Sequence, residues 1–515
     1  MINFHSRKKK SKIKENAEKE QVLFSYDLQE NSTYLKTIFS YPDNSDFGVR
    51  SIHVPSQNKD ALVFFMRGMV DTHLIEHAIS SLQEKEIQIE TGEELTEAIS
   101  KTILTGNQVS TLLEREKAVS ALLAGQTIIL MEGSSSVLSL QTAKYDGRSV
   151  DKPQSENVIK GSNEAFVESG TVNISLIRKR LRDESLVTET LYIGHDKKTK
   201  ISLMYLKNVL DPDLLHQIKH RVTQIDVDYI EDVSVLEQHM EERAYSLVPT
   251  ILYTERPDRA TSFIREGNAI LLMENSPAAL VAPATFWSFF HTSEDYYLRW
   301  AYGNFIRLIR LFSVFIALFT PSLYVAIVNF HSAMIPTDLL LAIAATRETV
   351  PFPVIFEIIM MESAFEILRE AGIRIPTPMG STIGIVGALI LGQAAVDANI
   401  ISPILVIVVS ITGLASFAIP NVSFSFAVRI MRFAMLILAA FMGLFGIMMA
   451  TIMCVAYLST LTSFGVPYLA PTIPFFPSSK DTIGRKVSWK ERIKPMYLHP
   501  KKANENSKTK GKRGL

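Results

Sequence analysis

Residues 311–467 constrain this chain more than any other stretch. Over more than 150 residues they carry twelve charged side chains, most of them between Asp338 and Arg374. Three apolar runs stand out: 311–330, 381–396 continuing past Asp397 through 398–419, and 433–458. Each matches the roughly 20 apolar residues that cross a hydrocarbon core about 30 Å thick. A bilayer interior gives backbone N–H and C=O groups no partner, so such runs are expected to be helices. Several uncharged runs of this length in succession argue against the core helices of a soluble protein.

At 515 residues the chain is too long for one core, and two or three domains are expected. A formal net charge of zero argues against nucleic-acid binding. The balance hides polarity along the chain. Residues 1–21 read as a basic, solvated arm, with Arg7, Lys8, Lys9, Lys10, Lys12, Lys14 and Lys19 available to anionic membrane lipid. The tail 479–515 holds twelve Lys and Arg against Asp481, Glu491 and Glu505. The single cysteine, Cys454, excludes an intrachain disulfide. The N-terminal basic residues are not followed by the apolar segment of a secretory signal.

Residues 22–288 have mixed α/β patterning and contain an internal repeat. The stretch 118–134 aligns with 260–276 at an offset of 142 residues without a gap. Both read as a helix, a glycine at its end (Gly125, Gly267) and a strand ending in Met-Glu. A glycine there supplies the left-handed cap that stops a helix. Upstream, 61–74 matches 201–214 at an offset of 140, each an apolar strand followed by a helix capped by aspartate (Asp71, Asp211). Two related subdomains are expected, at 22–145 and 165–288, joined by a Gly/Ser/Lys/Asp-rich linker at 146–164. Glu132 and Glu274 end equivalent strands, and solvated strand ends account for them better than a ligand site. The pair His73/His77 is too few ligands for zinc. Neither a phosphate loop nor a nucleophile elbow is present, so no enzyme, cofactor or metal site is expected.

The expected fold class is therefore an α/β soluble N-terminal half followed by an all-α polytopic membrane domain at 289–478. Residues 282–300 are rich in aromatics and read as an interfacial entry, and Arg299, Arg307 and Arg310 before the first run place the soluble half in the cytoplasm. Four spans are expected, at 311–330, 380–396, 398–419 and 433–458. Residues 354–371 read as a re-entrant or interfacial helix, and 464–477 as a proline-rich surface segment. Four spans put the basic tail inside but leave Arg429 and Arg432 outside; a fifth span reverses both. Glu362, Glu366 and Glu370 share one helix face, with Glu357 turned about 140° away at 100° per residue; the four are candidates for an acidic vestibule, and a helix lying flat with its glutamates in water fits equally. The small-residue stretch 380–396 suits close helix packing. It also suits a narrow pore lined by Val386, Leu389, Gln393 and Val396, which would gate by dewetting.

Several words of this sequence resemble one family. They are Ala282-Pro-Ala-Thr-Phe-Trp-Ser288, Glu294-Asp-Tyr-Tyr297, Pro351-Phe-Pro353, Glu370-Ala-Gly-Ile-Arg374, the stretch 384–396, Ser402-Pro403, Ile419-Pro-Asn421 and the stretch 463–471. The chain is similar over these to the A subunits of the GerA-type spore germination receptors. The resemblance implies a protein of the spore inner membrane acting with a transporter-like B subunit and a lipoprotein C subunit. It further implies a homo-oligomer that conducts monovalent cations when nutrients trigger germination. A non-conducting scaffold subunit and a small-solute transporter remain alternatives, the latter opposed by the lack of an inverted repeat.

Overall fold

The structure is a computed structural model that describes residues 22–84, 95–102, 109–144, 152–196, 198–374, 380–478, 483–487, 490–491 and 493–501. The basic arm and the last residues of the tail lie outside the described residues.

The soluble half repeats one unit. Its first copy runs α1 (Leu28–Ile38), β1 (Phe47–Val54), β2 (Lys59–Met66), α2 (Thr72–Glu84), α3 (Leu95–Thr102), β3 (Val109–Leu112), α4 (Arg115–Leu123), β4 (Thr127–Met131) and β5 (Val137–Leu140). The second runs α5 (Gly170–Arg180), β6 (Leu186–Ile193), β7 (Thr199–Leu206), α6 (Pro212–Thr223), α7 (Val233–Met240), β8 (Leu252–Thr254), α8 (Pro257–Glu266), β9 (Ala269–Met273) and β10 (Ala279–Ala282). Both sheets are antiparallel, ordered β1-β2-β4-β5-β3 and β6-β7-β9-β10-β8. The register repeats too, with Ala61 opposite Met131 and Ile201 opposite Met273. β4 and β9 are buried throughout, which is why they read as unbroken apolar runs. Gly267 has φ +112° at the end of α8, the left-handed cap expected there. Asn31 and Asn173, 142 residues apart, each clamp the chain that enters their helix: Asn31 Nδ2 donates to the Ser25 carbonyl (2.6 Å) and Asn173 Nδ2 to that of Val167 (2.6 Å).

One buried ion pair ties the two copies together. Arg178 on α5 donates to Asp46 (2.8 Å) and Asn44 (3.1 Å) of the first copy, beside the Ser45 N–H bond to the Thr188 carbonyl (2.8 Å). The described part of the expected linker is docked rather than free. Glu156 accepts hydrogen bonds from the Thr254 hydroxyl (2.6 Å) and the Glu255 N–H (3.2 Å) and pairs with Arg259.

The helical half comprises α9 (Trp300–Phe330), α10 (Thr337–Arg347), α11 (Val354–Arg374), α12 (Gly380–Asp397), α13 (Pro403–Phe417) and α14 (Val422–Ser459). Of the described helices, α9 and α14 are long and apolar enough to cross a membrane, and α13 is a shorter apolar helix. α14 is not the single rod that the run 433–458 suggests. Gly443 has φ 61° and ψ −137°, outside helical space, and the chain folds back there. Cys454 Sγ lies 3.5 Å from Met431 Sδ. Twenty-three residues of straight helix would hold them about 34 Å apart. α14 is therefore a helical hairpin whose two arms start and finish beside the soluble half.

Consecutive helices run alternately away from the soluble half and back. α9 leaves it and ends at Phe330 and His331, against Gly443 of the hairpin. Val354 at the start of α11 packs at that far end with Val325, Ile401 and Leu436. Arg369, near the end of α11, reaches Ser416 at the near end of α13 (2.6 Å). α11 is thus a continuous 21-residue helix, about 31 Å long, between the two ends rather than a short partial element. With α12, α13 and the two arms of α14, six helical passes link the ends, and α10 caps the far one. The even number puts the soluble half, Arg429, Arg432 and the described C-terminal segment at the same end.

Two local expectations are corrected. Trp287, Phe289 and Phe290 are buried, not interfacial: Phe289 and Phe290 pack against Phe424, and Phe289 against Tyr468, in the core joining the two halves, while Trp287 Nε1 donates to the Thr472 hydroxyl (2.7 Å). In the segment 464–477, Tyr468 and Ala470 are fully buried against the soluble half, where the Tyr468 carbonyl accepts from the Phe286 N–H (2.8 Å). The proline spacing forbids a helix there, but the apolar side chains still find cover.

Candidate functional site

Three groups of side chains lie where the helical half meets itself and the soluble half. The first is the line along α12. Gly387 and Gly392 face neighbouring helices: a Cβ on Gly387 would lie 3.2 Å from Leu368 Cδ2, and one on Gly392 3.4 Å from Val406 Cγ1. Their lack of a side chain lets α12 lie close to α11 and α13. Gln393 is exposed and donates to Asp397 (3.1 Å), and Val396 is half-buried. Ile390, Leu391 and Ala394 are also exposed, so this part of α12 presents an uncovered face in a single chain. The backbone of Val386 and Leu389 lies in the same helix; their side chains are outside the described residues.

The second group is a charge cluster between α11, α13 and α14. Glu362 pairs with Arg432 (2.9 Å). Glu366 accepts from Arg429 (2.6 Å), Arg432 (3.0 Å) and Arg369 (3.3 Å), and Arg369 also donates to Ser416 (2.6 Å). Glu362 and Arg432 are almost fully buried. Charges in such surroundings persist only when paired and hydrogen-bonded. Glu357 sits apart, at the far end, fully buried with Arg347 (3.6 Å) and the Ser402 N–H (3.1 Å). Glu370 is exposed. The structure thus separates the four glutamates: two face arginines of α14, one faces α10, and one faces outward. Sequence reasoning treated Arg429 and Arg432 as markers of sidedness; their partnership with Glu362 and Glu366 needed the three-dimensional path of α14.

The third group is the joint itself. Asp295, fully buried, accepts from Arg307 (2.9 Å), Arg310 (2.8 Å) and the Thr292 hydroxyl (3.1 Å). The C-terminal segment closes over it: Arg485 donates to the Asp295 carbonyl (2.6 Å), and its own carbonyl accepts from Trp300 Nε1 (2.7 Å). The Tyr457 hydroxyl at the end of the hairpin accepts from the Leu247 N–H (2.9 Å). The base of α9, the end of the hairpin and the C-terminal segment are therefore all held at this joint. Nearby, Tyr297 donates to Asp258 (2.8 Å), and burial with that carboxylate pushes its hydroxyl up to about 12. On α7, burial and then the adjacent Glu241 push Glu237 up to about 7.

Among the described residues no group of His, Cys, Asp and Glu is arranged to hold a metal ion. Glu132 accepts from the Asp60 N–H (3.3 Å), a contact between strand ends.

The family described as Bacillus/Clostridium GerA spore germination protein matches residues 33–497. Spore germination protein KA of Bacillus subtilis is 37% identical over 481 residues, covering 93% of this chain and 88% of that protein. Spore germination protein GerLA of Bacillus cereus is 33% identical, covering 89% of this chain and 93% of that protein. Among solved structures, the N-terminal domain of the A subunit of the Bacillus megaterium spore germinant receptor GerK3 is similar at 25% identity and a TM-score of 0.41. That match covers 52% of this chain and 99% of the solved one.

Proposed function

The chain belongs to the GerA family of spore germination proteins, and on that premise we propose that it is the subunit of a nutrient germinant receptor that forms an oligomeric, ligand-gated cation channel. Membrane association and a role in spore germination come with the family and the apolar helices. The finer assignment is that the six helical passes cross the spore inner membrane with the soluble half in the cytoplasm. Arg307, Arg310, Arg369, Arg429 and Arg432 at the near end support that sidedness. Transporter-like B and lipoprotein C subunits complete the receptor, and monovalent cations pass when nutrient binds.

The observation that carries the reading is the uncovered face of α12. In one chain its glycines are used against neighbouring helices while Gln393 and the residues around it face outward. A ring of copies joined through this helix would set Val386, Leu389, Gln393 and Val396 around a narrow axis, a constriction that dewetting closes. Glu362 and Glu366 then serve as counter-charges that fix α11 against α14, and Glu370 stands at the cytoplasmic mouth. The glycine contacts also favour a second reading, a scaffold in which α12 only packs.

Replacing the chromosomal copy with Leu389→Ser in spores separates the two. The channel reading predicts monovalent cation release without nutrient. Normal subunit abundance with release unchanged would leave the scaffold.

A further inference from the structure

Where the soluble half, α13 and α14 meet, a cavity of about 490 Å³ opens. That is within the size range of small-ligand sites. Its lining holds five arginines, Arg256, Arg259, Arg310, Arg369 and Arg429, against Glu156 and Glu294. Two of the five are neutralised one to one, Arg256 by Asp258 (2.8 Å) and Arg259 by Glu156. The other three belong to clusters with one cation too many. Asp295 serves both Arg307 and Arg310. Glu362 and Glu366 serve Arg369, Arg429 and Arg432. One cluster comes from the base of α9 and the other from α11 and α14, and both point guanidinium groups into the same space. Glu294, the remaining carboxylate, offsets one of the two surplus charges. Arg369 Nε is buried without a hydrogen-bond partner among the described residues. The positive end of the first arm of α14 opens there as well, since Val422 and Ser425 line the cavity.

The mouth of this cavity is apolar. Phe417 and Phe426 line it, each stacked on an arginine (Arg369 at 4.5 Å, Arg429 at 4.3 Å); Phe417 is largely exposed and Phe426 partly so. Leu414, Val422 and Ile430 continue the exposed apolar surface along α13 and α14. A cationic chamber leading onto an apolar helix surface matches an amphiphile with an anionic head.

We infer that this cavity binds a phosphate-bearing anion, held by Arg310, Arg369 and Arg429. A glycerophospholipid headgroup or a free phosphate has this chemistry, and the apolar mouth gives a lipid's acyl chains a path along α13 and α14. Guanidinium groups suit phosphate because their fork of N–H donors matches its oxygens. A headgroup bound here would bridge the base of α9, the hairpin and the soluble half. The lipid arm of this inference rests on the helical half lying in a bilayer.

The test uses the full chain, purified in detergent and in vesicles of phosphatidylcholine with or without phosphatidylglycerol. Arg310→Gln leaves Arg307 and Asp295 balanced, and Arg369→Gln leaves two arginines facing two glutamates, so each removes surplus charge without stranding a carboxylate. Lys117→Gln, on an exposed side chain of the first sheet unit, is the control. Native mass spectrometry is expected to find phosphatidylglycerol retained by the wild type and the control. Both arginine variants should bind it about tenfold more weakly. Stabilisation by inorganic phosphate alone, equally lost in the variants, would assign the site to a free anion. Failure of the protein to co-float with vesicles would instead count against the membrane reading. Wild type that co-floats yet prefers neither phosphatidylglycerol nor phosphate overturns the inference. So does an arginine variant that keeps its lipid and loses oligomeric contacts, which would make the cavity a protein interface.

Discussion

Gly443 is the residue on which the hairpin of α14 turns, and replacing it with alanine tests the geometry of the helical half. At φ 61° and ψ −137° it occupies backbone space that is essentially reserved for glycine. Forcing an L-residue there costs about 1–3 kcal/mol. The site is also crowded: a Cβ would lie 3.0 Å from His331 Cε1 and 3.1 Å from Phe330 Cβ and Cγ. Overpacking of this kind adds about 1–3 kcal/mol. The expected loss is therefore about 2–6 kcal/mol, the sum of those ranges. Gly413 is the contrast, an ordinary helical position where a new Cβ would meet only Phe365 at 4.0 Å. Alanine at 413 should be neutral or stabilising by up to about 1 kcal/mol. Thermal unfolding of the detergent-solubilised protein, followed by size-exclusion recovery, reads both variants. Gly443→Ala as stable as Gly413→Ala would refute a hairpin turning at this residue.

Three further outcomes follow from the same geometry. Met431→Cys, paired with the native Cys454, should be joined within one chain by a short bis-maleimide, because the two positions touch across the hairpin; a straight α14 predicts no intrachain product. Arg178→Ala should cost about 3–5 kcal/mol in unfolding of the full chain, since it strands buried Asp46 between the two sheet units; the double change with Asp46→Leu should recover much of that loss. Glu237 binds its proton more tightly in the folded chain (about 7) than in the unfolded one (near 4.5). The stability contributed by that proton is full below pH 4.5 and lost as pH rises through 7. Glu237→Gln should therefore match wild type at low pH and exceed it by roughly 2–3 kcal/mol above pH 7, and identical pH profiles would contradict the burial of this carboxyl.

The soluble half was legible because its repeat is written in features that physics constrains: a glycine where a helix must stop, and a strand apolar on both faces because neighbours cover both. The equivalent asparagines 31 and 173 were equally readable at the same offset, but their role emerges only with the backbone they clamp. The helical half was harder. Charges read as span boundaries cut the run after Arg432 to the length of one crossing. Yet 38 residues of helix would extend about 57 Å, nearly twice a hydrocarbon core, and that excess is the sign of a fold-back. The arginines misled for the same reason. Arg429 and Arg432 are tolerated inside the helical half because Glu362 and Glu366 approach from another helix, a pairing that sequence spacing does not encode. The aromatic entry 286–290 has the composition of a membrane interface and is instead the core of the joint, since Phe424 and Tyr468 arrive from residues more than 130 positions later.

The central claim is that this helical half conducts cations when assembled. The direct measurement is monovalent cation flux through the purified protein, with its partner subunits, reconstituted in sealed vesicles as wild type and Leu389→Ser. The account predicts little flux from unstimulated wild type and a clear rise when serine wets the α12 line. An intact, correctly inserted oligomer that passes no cations in either form, with or without nutrient, would contradict it.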